Sequence, residues 1–145
     1  MIGVGTGAFL LKPVAGPARE LDLVGDVTRG DYLIRLGGCV ACHTDAENGR
    51  AMLSGGTGLE TPFGTFVPPN ITSDPEAGIG AWTLAEFADA MSNGMGPEGH
   101  LYPAFPYENY TLMSDQEIAD LYAALMATEP VATTASESQI PFPFN

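Results

Sequence analysis

The sequence is short of positive charge. Only five of its 145 residues are lysine or arginine (Lys12, Arg19, Arg29, Arg35 and Arg50), against 18 aspartates and glutamates, and none lies beyond residue 50. A formal net charge of −13 repels phosphate backbones and anionic headgroups, which argues against nucleic acid as a partner. A basic partner and plain solubility account for the excess equally well. Long apolar runs are missing too. MIGVGTGAFLL, the 11 residues before Lys12, falls short of the roughly 20 that a membrane-crossing helix needs. It also lacks the charged start and the cleavage site of an intact signal peptide. Residues 1–25 therefore read either as a tail holding the stump of a trimmed membrane anchor or as an unstructured extension. No repeat is visible, and the chain has only two cysteines, too few for a disulfide framework.

What is present is 18 glycines and 12 prolines among 45% hydrophobic residues. That apolar share can offset chain entropy, so the composition fits one loop-rich globular domain and not a disordered chain. Three stretches carry helix signals. Asp26 is a good N-cap for VTRGDYLIRL, where Leu33 and Leu36 stand at i, i+3 before Gly37-Gly38. Thr83 and Glu86 form a capping box, with Trp82 and Phe87 as a hydrophobic staple, a stripe of Leu84, Phe87, Ala88 and Met91, and Gly94 as the stop. Ser114 and Glu117 form a second box ahead of Ile118, Leu121, Tyr122 and Leu125, a helix ending near Thr128. Residues 44–82 are so punctuated by GGTG, TPFGT, PPN and SDPEAGIG that extended regular structure is not expected there. A loop of that length is uncommon unless it wraps something. Residues 131–145 read as an extended C-terminal tail.

The first helix delivers the chain to CVACH, residues 39–43, which holds both cysteines and one of the two histidines. Cys-x-x-Cys-His is the attachment signature of a c-type haem. Two thiols three apart on one helical turn can each add to a vinyl group of the porphyrin edge, and His43 then projects its ring towards the iron. Three other readings compete. A thioredoxin-like pair wants a strand leading into it, not a helix and two glycines. Zinc wants four ligands, and only His100 remains beyond Cys39, Cys42 and His43. A disulfide closing so short a loop stabilises little. A haem also explains how a few short helices could enclose so much irregular chain.

GGCVACHT, GLETPFGTFVPPNITSDPEAGIGAW and HLYPAFPYENYTLMSDQEIADLYAALM together resemble the class I c-type cytochrome domains of bacterial multi-haem cytochromes. Those cytochromes accompany membrane-bound alcohol, sugar and aldehyde dehydrogenases. The resemblance covers about residues 26–130. It implies an all-α class I cytochrome c fold of three to five short helices and long loops around one covalent haem c. It also implies that the helix before Cys39 crosses the one after Ser114, with Gly30 at the close approach. The closing SQIPFPFN is similar to the segment that leads from a first haem domain towards a second, so residues 131–145 read as an inter-domain segment or as a wrapped tail.

The resemblance further implies a sixth ligand. Many relatives have a methionine in the YPAxPY block, where this chain has Phe105; others with PAFPY have one further on, which places the ligand at Met113. Met95 and His100 are the alternatives, and Met113 could instead staple onto Ile118. Phe63, Phe66, Tyr102, Phe105 and Tyr107 are candidates to line the pocket, and Asn70 and Trp82 to donate N–H groups to buried propionates. The function implied is single-haem, one-electron transfer in the periplasm, from a dehydrogenase or neighbouring haem to another cytochrome or a terminal oxidase. A chain of this kind is not itself an enzyme. The rival is a haem enzyme or gas sensor with an open or labile distal position, for which Phe105 is the motive.

Overall fold

The structure is a computed structural model and describes residues 21–142. Among these residues there are four α-helices, α1 (Val27–Leu36), α2 (Cys39–His43), α3 (Leu84–Asn93) and α4 (Asp115–Met126), with long loops after α2 and α3 and a 3-10 turn at Tyr107–Asn109 before the last. Their starts are those the cap residues dictate. Asp26 accepts from the Arg29 amide, and both capping boxes, Thr83 with Glu86 and Ser114 with Glu117, are reciprocally bonded. Gly94 ends α3 in the left-handed conformation at φ 66°, where a side chain would be strained.

The frame is the crossing of α1 on α4. A Cβ on Gly30 would run into the Asp120 carbonyl and the Ala124 side chain, so only glycine lets the two helices approach this closely. This corrects the stripe read on α1: the buried pair is Gly30 and Ile34, while Leu36 is 68% exposed. The reason is that α1 packs through the line of its glycine, which carries Ile34 one turn on and turns Leu36 away. Leu21 packs on the core, Gln116 Nε2 donates to the Val24 carbonyl at 3.1 Å, and Gly25 abuts the Ala119 carbonyl, so residues 21–25 belong to the folded unit. The anchor-or-tail reading of the N-terminus otherwise lies outside the described residues.

At that crossing a carboxylate is buried. Asp120 is 2% exposed and accepts from the Asp26 amide at 2.7 Å, from Arg29 Nε at 2.7 Å and Nη2 at 3.1 Å, and from Gln116 Nε2 at 2.8 Å. The Arg29 hydrogen bond above all, with the Asp26 amide and Gln116, holds the acid well below its ordinary range against the opposing effect of burial. A charge buried there is tolerable because both oxygens are bonded, Oδ1 by three donors and Oδ2 by Arg29 Nε.

The core is thin. Among the described residues twelve apolar ones are buried and four of them are alanine; Ile34, Leu53, Phe87, Met91, Ile118, Leu121 and Leu125 supply most of its volume. Tyr122, on the α4 stripe, reaches the outside of this cluster, and its hydroxyl donates to the Trp82 carbonyl at 2.7 Å.

The all-helical expectation needs correcting. Two small antiparallel ribbons interrupt the loops: β1 (Leu59–Thr61) with β2 (Gly64–Phe66), in which Leu59 faces Phe66, and β3 (Met95–Gly96) with β4 (Gly99–His100), in which Met95 faces His100. The TPFGT stretch, read as precluding regular structure, makes a strand pair: Gly64 opens β2, and Gly99 opens β4, each directly after a two-residue turn. Gly64 at φ 126° and Gly99 at φ 130° take conformations closed to other residues. In the first ribbon Thr61 Oγ1 also ties its own turn, donating to the Gly64 carbonyl at 2.8 Å.

Residues 131–142 form no helix and no strand, yet they are stitched to the preceding loops. Asn70 Nδ2 donates to the carbonyls of Val131 (2.7 Å) and Thr133 (3.0 Å). The Val67 amide donates to Ser138 Oγ at 2.9 Å, and Thr65 and Gln139 exchange both backbone bonds in an antiparallel bridge. This segment lies along the 65–73 stretch.

Candidate cofactor site

The chain enters CVACH through a sharp elbow. Gly37 caps α1, Gly38 follows at φ 77°, and α2 starts immediately with Cys39. The two thiols are free and lie one helical turn apart, Cys39 half-buried and Cys42 exposed. Burial, with a smaller contribution from Cys42, pushes the Cys39 thiol up, and its own backbone hydrogen bond opposes this.

His43 is held at two points. Its ring Nδ1 lies 2.7 Å from the Pro69 carbonyl. A carbonyl oxygen only accepts, so Nδ1 carries the proton and Nε2 keeps its lone pair for a metal. Burial lowers the imidazole's pKa, with the Pro69 bond working the other way, which keeps the ring in the neutral form that ligates. The His43 backbone carbonyl, meanwhile, accepts from the Gly55 amide at 3.0 Å.

The GGTG stretch explains this second grip. Thr44 and Gly55 form a parallel bridge, the Gly56 amide donates to the Pro68 carbonyl at 3.0 Å, and a Cβ on Gly56 would collide with the Cys42 carbonyl. Leu53, wholly buried, takes a left-handed φ of 65° to close the turn, donating its amide to Thr44 Oγ1 and accepting from Ile71. Such a conformation costs a non-glycine residue about 1–2 kcal/mol, which burial of a leucine side chain, at about 1.5–3 kcal/mol, offsets.

On the other side, Phe105 stacks on Tyr110 with ring centroids 5.7 Å apart at 25°, and the Tyr110 hydroxyl donates to the Gly37 carbonyl at 2.8 Å. The loop carrying the aromatic block is thus tied to the elbow before Cys39. Burial raises the Tyr110 phenol, with the Cys39 and Cys42 charges adding to it. Met113 lies on this loop, its amide donating to the Tyr110 carbonyl at 3.0 Å and its side chain packed at the rim of the core with Phe105. Tyr102, 47% exposed, meets Phe66 edge-on at 5.4 Å. Trp82 packs on the core next to Phe87, and a Cβ on Gly96 would sit 3.4 Å from its ring.

Other residues fall differently. Both Asn70 amide hydrogens go to the Val131 and Thr133 carbonyls, and its Oδ1 accepts from the Thr72 amide and hydroxyl. That leaves no donor for a propionate, and the residue's place is beneath the C-terminal segment. His100 is exposed on β4, Met95 faces it on β3, and Met91 is buried in the core. Sequence reasoning missed Pro69, Gly55, Gly56 and Tyr110. PPN and GGTG were available as signals, but as turn punctuation they do not say which carbonyl is aimed at which ring.

Two thiols one turn apart, a neutral imidazole with its Nε2 free, and half-exposed apolar side chains such as Tyr102, Phe63 and Met52 fit a porphyrin bound covalently at Cys39 and Cys42. Zinc fits less well: among the described residues no group of three or more His, Cys, Asp or Glu is arranged to hold a metal ion.

Similarity to known proteins points the same way. The chain is 41% identical, over its whole length, to a diheme cytochrome c-type protein of Cereibacter sphaeroides, 51% of whose length it covers. It is 41% identical over 95% of its length to the gluconate 2-dehydrogenase cytochrome c subunit of Pantoea cypripedii, covering 32% of that protein. A further relative is the cytochrome c subunit of the quinone alcohol dehydrogenase of Gluconacetobacter polyoxogenes, 41% identical over 82% of this chain and 25% of that protein. The chain thus spans about half, or less, of the length of these relatives. With residues 27–128 matching the Cytochrome c family model, the chain belongs to the cytochrome c family.

Proposed function

We propose that this chain is a class I cytochrome c domain that carries one haem c and passes single electrons, without transforming a substrate itself. The observation that carries the reading is the His43 ring, oriented by Pro69 so that Nε2 is free beside two thiols on the same helix. One haem is favoured because both cysteines of the chain lie in one motif, whereas the diheme relative is about twice as long.

Cys39 and Cys42 would hold the group by thioether bonds, His43 Nε2 would bind the iron on one face and the Met113 thioether on the other. Haem with that pair of ligands supplies a one-electron couple at raised potential. Phe105 and Tyr102 would exclude water from the distal side, and the Trp82 indole N–H would donate to a propionate. The relatives' names as cytochrome subunits of dehydrogenases support a dehydrogenase or a neighbouring haem as donor, and another cytochrome or terminal oxidase as acceptor. Thioether attachment and these relatives favour a periplasmic site. Among the described residues no helix is long and apolar enough to cross a membrane; inner-membrane attachment would need an N-terminal anchor.

The test is to produce the chain alongside a cytochrome c maturation system, count haem per chain, titrate the couple, and expose the reduced protein to carbon monoxide. One covalent haem, a one-electron titration and no carbon monoxide binding are expected. Avid carbon monoxide binding would favour the gas-sensor or haem-enzyme reading, and a colourless protein would remove the haem altogether.

A further inference from the structure

Two hydrogen bonds fix His43: the ring Nδ1 to Pro69 and the backbone carbonyl to Gly55. They come from loops about 14 residues apart in sequence, and neither loop has regular structure at that point. The loops bond each other directly, the Gly56 amide to the Pro68 carbonyl and the Ile71 amide to the Leu53 carbonyl, and what braces both from outside is the C-terminal segment. It lies against Gly55, where a Cβ would come within 2.9 Å of the Ala135 side chain, and Arg50 Nη1 reaches both the Ser54 and Thr134 carbonyls, at 3.3 and 3.5 Å. It then runs to Asn70, the residue after Pro69, whose amide bridges the Val131 and Thr133 carbonyls. The Val131 amide returns to Thr72 Oγ1 at 3.2 Å, and Gln139 pairs with Thr65.

Asn70 is the junction of this network. It is 2% exposed and makes four side-chain hydrogen bonds, two to the C-terminal segment and two to Thr72. A side chain so fully satisfied sets the backbone on which it stands, because any rotation of the 69–70 peptide would strand several buried polar groups at about 1–3 kcal/mol each. The peptide it fixes is the one whose carbonyl faces His43.

We propose that residues 131–139 act as a strap which, through Asn70, holds the Pro69 carbonyl on His43 Nδ1 and so sets how strongly the imidazole donates to the iron. Asn70 is a positioning residue: its side-chain bonds go to Thr72 and the C-terminal segment, not to the ring. A firm Nδ1–H···O bond raises the basicity of the ligand and favours the ferric state. Loosening the strap weakens that bond, makes the imidazole a poorer donor and raises the midpoint potential. The proposal rests on the reading of His43 as an axial ligand.

The experiment compares the haem-loaded parent chain with Asn70→Ala, which adds no charge, and with Leu121→Ala, which loosens the core without removing a strap bond. Midpoint potential, exchange of the His43 ring N–H with solvent, and melting temperature are measured on each. Asn70→Ala should raise the potential and speed ring N–H exchange, whereas Leu121→Ala lowers the melting temperature and leaves both readouts at parent values. Should Asn70→Ala fail to fold, Gln139→Pro removes one strap bond at an exposed position and should move both readouts the same way by less. An unmoved potential and exchange rate in a folded strap variant would overturn the strap while leaving the electron-transfer reading intact. A parent without covalent, histidine-ligated haem would overturn both.

Discussion

On one side of α2 the contacts are made by backbone. Gly55 bonds the His43 carbonyl, Gly56 lies against the Cys42 carbonyl, and Pro69 takes the ring proton. On the other side the 101–113 loop is held by side chains: Phe105 on Tyr110, Tyr102 on Phe66, and the Tyr110 hydroxyl on Gly37. Backbone contacts through glycine have no slack, since a single added carbon has nowhere to go. Aromatic contacts can give by a rotamer. The backbone side, proximal on the proposed reading, is therefore the rigid one, and the aromatic side is the one that can absorb a change of side chain.

That contrast can be broken most severely at Gly56. Gly56→Val would force its side chain into the Cys42 carbonyl and should destabilise the fold by about 3 kcal/mol, with little haem incorporated. Urea unfolding and haem yield measure both effects, and a variant with parental yield would remove the rigidity claimed for the proximal side.

The α1–α4 crossing lies beneath both sides and supplies a control of intermediate size. The folded-state pKa of Asp120 is depressed from an ordinary 3.8. Its contribution to stability is thus complete above that value and is lost as pH falls through the lower folded one. Asp120→Asn should start less stable at neutral pH and then show a flatter decline below about pH 4, read as the urea midpoint against pH. Equal slopes in parent and variant would contradict the sign.

The gentlest perturbation is Tyr110→Phe, which keeps the stack on Phe105 and removes one hydrogen bond, for about 1 kcal/mol. It should loosen the distal loop alone: amide exchange across residues 105–113 rises while the His43 ring N–H stays protected. Faster exchange at both places would show that the two sides are not independent.

The same division decided what could be read from the letters. Cap residues act locally, so Asp26, Thr83, Ser114 and their partners announced α1, α3 and α4 within a residue or two. CVACH carries its chemistry in its own spacing. Contacts between distant backbones leave no such trace: Gly56 beneath Cys42, Pro69 beside His43 and Asn70 under the C-terminal segment are all long-range, and a glycine or proline reads as a turn whatever it faces. The small ribbons escaped because Gly64 and Gly99, which break a strand in most contexts, here open one directly after its turn. Asp120 escaped because a carboxylate on an apolar stripe is ordinarily solvated, and only its four donors make burial tolerable.

The distal ligand is the point on which the electron-transfer reading turns, and the ferric absorption spectrum in the far red, where methionine bound to haem iron gives a weak band, tests it most directly. The parent should show the band, Met113→Ala at equal haem loading should lose it and bind carbon monoxide when reduced, and Met95→Ala and His100→Ala should keep it. A band that survives in Met113→Ala, or that disappears in Met95→Ala, would contradict the assignment of Met113.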